Sequence, residues 1–254
     1  MIFALTTRWN ANRHAAGEEM IEEILELGFD HIELGYDTRL DLIPGIRAMV
    51  EQGAVTVDSL HNFCPVPMGA GRGHPEIFTF ASRDRRVREQ AVRHTAATLR
   101  LAAEFGARVV VSHSGNVDMK RMTMELVAMA EAGQQFSPRY DKLCAKLQDR
   151  REKKARKQLP YLIRCVEQLM PVMQETGVQL ALEILPTWEA FPTEVEFEAL
   201  FRQFGSTHLR YWHDIGHARI RENLGLINME RWLERLRPHL AGMHLHDVAP
   251  PGRD

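Results

Sequence analysis

Cysteine is scarce in this chain of 254 residues: Cys64, Cys144 and Cys165 stand far apart, and no two form a CxxC pair. That scarcity excludes a disulfide framework and a cysteine-based zinc site, and it points to a reducing cytoplasm. Long apolar runs are missing too, and none approaches the roughly 20 residues that span a bilayer. The start, Met1-Ile2-Phe3-Ala4-Leu5-Thr6-Thr7-Arg8, lacks the basic-then-apolar pattern of an export signal. A protein neither exported nor membrane-embedded is expected. Charge of one sign is lacking as well: the formal net charge of −2 gives no global reason to attract a polyanion, which disfavours nucleic acid as a partner. No low-complexity tract or composition break marks a second domain, so a single domain over 1–254 is expected. What is present, 44% hydrophobic and 26% charged residues, supplies a substantial core for one large α/β domain.

Seven short β-prone runs alternate with helical patterns. The runs are Ile2 to Thr7, His31 to Leu34, Val55 to His61, Arg108 to His113, Val178 to Leu185, Leu209 to Asp214 and Ala241 to His246. Amphipathic stretches such as Glu18 to Leu27, Asp84 to Phe105 and Glu194 to Phe204 fall between them, closed by Gly28, Gly106 and Gly205. Repeated β-then-α units predict a parallel sheet.

Glu33 to His61 spans 28 residues, Glu183 to Asp214 spans 31 and Asp214 to His244 spans 30. Each is close to one βαβ step of roughly 30 residues, a period that points to a barrel. Two steps are longer, 52 residues from His61 to His113 and 70 from His113 to Glu183, which predicts insertions near 62–83 and 116–160. The first, with Cys64-Pro65-Val66-Pro67-Met68-Gly69-Ala70-Gly71-Arg72-Gly73-His74-Pro75, is too rich in Pro and Gly for regular structure and reads as an ordered lid or wall. The second holds Lys142 to Lys157, whose mixed charges follow a helical pattern through Pro160 toward Met173; a long solvated helix is preferred to a phosphate or nucleic-acid contact.

Five of the twelve histidines crowd the tail: His213, His217, His239, His244 and His246. Glu183 sits in the apolar run Leu180-Ala181-Leu182-Glu183-Ile184-Leu185, where an ionised carboxylate needs a cation or donors to offset its desolvation. A metal supplies that cation, and a neighbouring Arg or Lys is the alternative. Asp214 and His217 flank Ile215-Gly216 where a strand ends; they read as ligands reaching one mouth across a bend that glycine permits, or as a helix N-cap beside an unrelated histidine. His213 is expected to face the other way. Period-two alternation puts His244 and His246 on one face, and either is a candidate ligand. His61, His113 and Glu33 occupy comparable strand-end positions, where a packed, hydrogen-bonded side chain is the competing reading.

Ser59-Leu60-His61, Val111-Ser112-His113-Ser114-Gly115, Leu182-Glu183, Asp214-Ile215-Gly216-His217 and Gly242-Met243-His244-Leu245-His246-Asp247 occur in the order seen in the xylose-isomerase-like TIM-barrel superfamily. The chain resembles that group over nearly its whole length. The group includes sugar phosphate isomerases and epimerases, inosose dehydratases, hydroxypyruvate isomerases and apurinic endonucleases of the endonuclease IV type. The resemblance implies an α/β TIM (β/α) barrel, of which seven strands are visible here. It also implies a divalent metal, Mn, Zn, Mg or Co, with Glu183, Asp214 and His244 matching the family's ligands on three successive strands. His217 matches a second metal ligand in the nucleases and a substrate-binding histidine in the epimerases. His61 and His113 match further zinc ligands in the nucleases and face substrate in the sugar enzymes; Glu33 and His246 join them as substrate-binding candidates.

Two departures narrow the expectation. The family's eighth strand, bearing another glutamate, is not seen before the chain stops at Pro250-Pro251-Gly252-Arg253-Asp254, where Asp254 resembles the start of a further family element. An edge left open between the first and seventh strands invites pairing with a second copy, a homo-oligomer. The nucleases' glycine- and serine-rich motif after the first strand is replaced by Thr6-Thr7-Arg8-Trp9-Asn10-Ala11-Asn12. The implied activity is therefore a metal-dependent isomerase or epimerase of a small sugar, sugar phosphate or related polyol-ketone, with Glu183 as the base. The alternatives are a zinc phosphodiesterase at abasic DNA and a non-catalytic metabolite-binding barrel.

Overall fold

Runs such as Val109-Val110-Val111 are β-branched and buried, while the segments between them carry an apolar stripe at helical spacing, and the backbone follows both signals. A computed structural model describes residues 2–205 and 208–252; Met1 and Asp254, which enter the readings of the two chain ends, lie outside the described residues. In chain order the elements are β1 (Leu5–Thr6), α1 (Gly17–Glu26), β2 (His31–Leu34), α2 (Ile43–Glu51), β3 (Thr56–His61), α3 (Arg85–Glu104), β4 (Val109–Ser112), α4 (Thr123–Glu131), α5 (Pro138–Thr176), β5 (Gln179–Glu183), α6 (Glu194–Phe204), β6 (Leu209–Asp214), α7 (Ile215–Asn223), α8 (Met229–Leu236) and β7 (Leu240–His244). Sheet order equals chain order, β1 to β7. No helix among the described residues is long and apolar enough to cross a membrane.

The chain forms two compact units. The first comprises Met1–Phe78, Glu89–Ser112 and Gln168–Ala181; the second comprises Thr79–Arg88, His113–Glu167 and Leu182–Asp254. In the first unit β1, β2, β3 and β4 pair in parallel, and Gln179 donates its backbone N–H to Arg108 at the start of β5. The β2–β3 register slips between Ile32 and Glu33, which sets Glu33 beside Ser59 rather than Asp58. In the second unit Ile184 N–H, just past β5, bonds to Trp212 of β6, and β6 pairs in parallel with β7. Here the register slips between Tyr211 and Trp212, and Asp214 stands beside His244. Gly242 allows the slip, because a Cβ there would collide with the Trp212 indole.

Gly28, Gly106 and Gly205 follow their helices with φ of 85°, 73° and 51°, as the C-cap pattern predicts. Residues 62–84 form no helix or strand, in line with their Pro and Gly content. Helix α5 continues through Pro160 as its charge pattern predicts, and through Pro171 as well. One expectation for it fails: Arg151, inside the stretch read as solvated, is buried. Its guanidinium makes paired bonds of 2.6 and 2.7 Å to Glu196 and bonds the Trp188 and Ala190 carbonyls at 2.9 and 2.8 Å. The second unit's own core packs Leu126, Tyr140, Leu147, Ile220 and Leu224 behind the loops that follow β5 and β6.

Candidate metal centre

The second unit gathers its titratable side chains at the ends of β5, β6 and β7. Glu183 closes β5 with 1% of its surface exposed, its Oε1 2.9 Å from His244 Nδ1 and its Oε2 3.0 Å from His113 Nε2. Asp214 closes β6 and is also the N-cap of α7, its Oδ1 accepting the His217 backbone N–H at 2.7 Å. The N-cap reading of the Asp-x-x-His motif therefore holds, with His217 placed beside Asp214 rather than unrelated to it. The cap turns His217 inward, so that its Nδ1 lies 2.9 Å from the Ile184 carbonyl and 3.6 Å from Asp214 Oδ2. A carbonyl only accepts, so Nδ1 carries the proton and Nε2 is the ligating nitrogen of neutral His217.

His246 arrives differently from the expectation. Strand β7 ends at His244, so His246 lies in the following loop and owes nothing to strand alternation. Its Nε2 nevertheless sits 2.9 and 3.1 Å from the two Asp214 oxygens. Gly216 makes the approach possible, since a Cβ at that position would strike the His246 ring. Gly216 is helical here and has no positive φ, so its role is clearance rather than the sharp bend the motif implied.

Burial alone would push the Glu183 carboxyl up, but the His244 and His113 imidazoles outweigh it and hold it well below the usual carboxylate range. Asp214 follows the same logic: burial raises it, and hydrogen bonds from His244 and His246 bring it below its ordinary value. Both are ionised at neutral pH. Imidazole nitrogens thus converge on two buried carboxylates, and each N···O line must hold a proton or a cation. Ligand-type atoms of Glu183, Asp214 and His244 lie within 4.8 Å of one another, and so do those of Asp214, His217 and His246. Mixed imidazole and carboxylate donors at this spacing fit a borderline divalent ion such as Zn, Mn or Co.

His213 faces away from Asp214, buried, with Nδ1 2.5 Å from the Tyr211 hydroxyl. Glu33 and His61 belong to the first unit, where Ser59 Oγ donates to Glu33 at 2.8 Å and the Tyr36 ring meets His61 edge-on at 5.0 Å. Sequence reasoning missed Glu189, a buried carboxylate that accepts from the backbone of Met122 and Thr123 and from the Thr123 hydroxyl. It ties the loop after β4 to the loop after β5. The available signal was its position, six residues beyond Glu183 in the otherwise apolar Trp188-Glu189-Ala190-Phe191.

Residues 21–254 match the family described as xylose isomerase-like TIM barrel. An uncharacterized protein of Methanocaldococcus jannaschii, MJ1614, is 23% identical over 225 residues, which cover 89% of this chain and 69% of that one. Among solved structures, a D-tagatose 3-epimerase-like protein aligns with a TM-score of 0.67 at 18% identity, covering all of this chain and 78% of that one. The 3-keto-D-glucoside 4-epimerase of E. coli aligns with a TM-score of 0.66 at 16% identity, covering 97% and 79%. At these identities the structural likeness speaks for the fold.

Proposed function

The chain belongs to the xylose isomerase-like TIM-barrel family, and from that premise we propose that it is a sugar isomerase or epimerase that moves a proton next to a carbonyl, using a divalent metal held by Glu183, Asp214 and His244 with His217 beside them. The observation that carries this reading is the convergence of those side chains at the ends of three successive strands within one unit. The likeness to a D-tagatose 3-epimerase-like protein and a 3-keto-D-glucoside 4-epimerase supports the substrate class.

Bound there, a divalent ion would polarise the substrate carbonyl and make the neighbouring C–H acidic. The protein's part follows from its own atoms. Glu183 is ionised at neutral pH, held so by His244 and His113, and is therefore ready to accept a proton. Its Oε1 faces His244 Nδ1 at 2.9 Å. His113 Nε2, 3.0 Å from Oε2, shares the proton and keeps a buried acid from standing alone.

The test is solvent exchange. Purified protein, loaded in turn with Mn, Co or Zn, is incubated in D2O with a panel of ketoses, aldoses and their phosphates, and deuterium uptake next to the carbonyl is followed by NMR. Metal-stimulated uptake is expected, with Glu183→Gln slower by on the order of 100- to 10,000-fold. An unchanged rate in that variant ends the role given to Glu183. Absence of exchange together with cleavage of an abasic oligonucleotide would move the site to phosphodiester hydrolysis.

A further inference from the structure

We infer that a cavity of the second unit, between the first turn of α6 and the face of α8, is a binding site for a small organic anion with a flat apolar body, an aryl phosphate or carboxylate by class. The cavity measures about 340 Å³, a size that takes a small metabolite, and it shares no side chain with the carboxylate–imidazole cluster. Its lining divides by chemistry. Trp188, Val195, Leu226 and Trp232 supply apolar surface, and Arg231 and Arg235 of α8 stand beside them. Glu194, the carboxylate of the lining, lies 2.8 Å from Arg235, and Glu198 turns to Arg235 as well. That leaves Arg231, exposed on α8, as the cation available to a ligand.

A second and independent observation lies against the two indoles of the wall. Arg221 of α7 is fully buried; its Nη2 donates to the Thr187 carbonyl at 2.7 Å, while Nε and Nη1 have no acceptor among the described residues. The guanidinium carbon lies over both rings that line the cavity, 5.4 Å from the Trp188 centroid and 5.5 Å from that of Trp232. Burial, with Arg151 nearby, pulls this side chain down to about 9, so it is still charged at neutral pH. A buried cation without a carboxylate in hydrogen-bond contact is costly, and an anion held against the two indoles offsets part of that cost.

The backbone adds to the same field. Thr193, the N-cap of α6, and Asn228, the N-cap of α8, both line the cavity, so the positive ends of two helices meet there. Arg231, Arg221 and the two helix starts select negative charge, and the indole walls select a flat apolar body. A bare ion leaves the apolar wall uncovered; a neutral ring leaves the cations unmatched. None of this rests on the sugar isomerase reading.

Phenyl phosphate is the probe, with inorganic phosphate and phenol as its two halves, each titrated into the purified protein by isothermal calorimetry. One equivalent of phenyl phosphate is expected to bind, about ten-fold or more tighter than either half. Arg231→Gln removes one charge from an exposed side chain and is expected to weaken that binding by about ten-fold or more, the loss of a charge-assisted contact. Trp188→Leu is expected to weaken it as well, while Glu183→Gln, altered at the metal centre, binds the probe as the parent does. Near-UV circular dichroism confirms the fold of each variant, and if Trp188→Leu fails to fold, Arg231→Gln decides. The site is overturned by any of three results: no saturable binding in the parent, parent-like binding in folded Arg231→Gln, or inorganic phosphate binding as tightly as phenyl phosphate. Loss of binding in folded Glu183→Gln places the probe at the metal centre and overturns it too.

Discussion

Each unit of the fold contains a slip in strand register, and each slip delivers a carboxylate to a new neighbour. In the first unit Glu33 is moved from the level of Asp58 to that of Ser59, whose hydroxyl donates to it at 2.8 Å. In the second, Asp214 is moved from the level of Met243 to that of His244. The same irregularity has opposite chemical outcomes. A serine hydroxyl holds its proton throughout the physiological range, so the Glu33 pairing is an anchor. Imidazole gives either a proton or a lone pair, so the Asp214 pairing can exchange a proton for a metal. At the ends of β3 and β4 the first unit links amide to hydroxyl, Asn62 donating to Thr95 at 2.8 Å and to Ser112 at 3.1 Å, while its histidine–carboxylate pair, His31 with Asp58 at 2.7 Å, involves the first residue of β2. The second unit packs histidine against carboxylate.

The comparison holds only while the second unit's loops stay in place, and Arg151 is their strongest fixture. It joins α5 to the segment between β5 and α6 through Glu196, Trp188 and Ala190. Replacing it leaves Glu196 buried without its cation. Arg151→Met is expected to destabilise the fold by roughly 3–5 kcal/mol, the cost of breaking a buried pair from one side. A urea titration checks this, and a loss below about 1 kcal/mol would show that the contact contributes little.

Proton linkage sharpens the contrast at a smaller scale. Burial pushes the His213 imidazole down to about 4, against the pull of Asp214 beside it. Above pH 6.5 the ring is neutral in both folded and unfolded chains. Below it the unfolded chain takes a proton that the folded chain refuses until about pH 4, so stability falls on acidification through that window, by up to about 1.4 kcal/mol per pH unit. Glu183 and Asp214, held below their ordinary values, add to the loss only at still lower pH. In the first unit His94 is lowered as well, by burial and by Arg93, while stacked on Phe78 at 5.3 Å. Both histidines therefore steepen the parent's acid slope. His213→Asn is expected to recover roughly 2 kcal/mol of the difference between pH 7 and pH 4.5. An identical slope in parent and variant would remove His213 from the account.

What could be read from the sequence follows the range of the interactions involved. The bounds of β2, β6 and α6 match the patterns because alternation, turn residues and a capping box, here Thr193 with Glu196, are local signals. Strand β1 is shorter than its apolar run because the chain turns at Thr6, whose hydroxyl accepts the Arg8 N–H, into a 3-10 turn over Thr7–Trp9. Glu183, Asp214 and His244 were legible because a period of about 30 residues places strand ends together. Alternation points to His246 through a strand that stops before it, and Gly216, the residue that admits it, lies 30 positions away. Arg151 was one cation among many on α5; its partner Glu196 is 45 residues distant, and no local pattern marks which charge turns inward.

The smallest effect tests the anchor. Ser59→Ala removes the hydroxyl that meets Glu33 and leaves the slipped register of β2 and β3 otherwise intact. A donor lost from a buried carboxylate costs roughly 1–2 kcal/mol, so a modest fall in Tm is expected. Zinc content should stay at the parent value, because an anchor carries stability and a ligand set carries ions. A loss of bound zinc in Ser59→Ala, with the fold intact by circular dichroism, would show that the first unit's slip does the same chemical work as the second's, and the distinction between hydroxyl-held and imidazole-held carboxylates would fail.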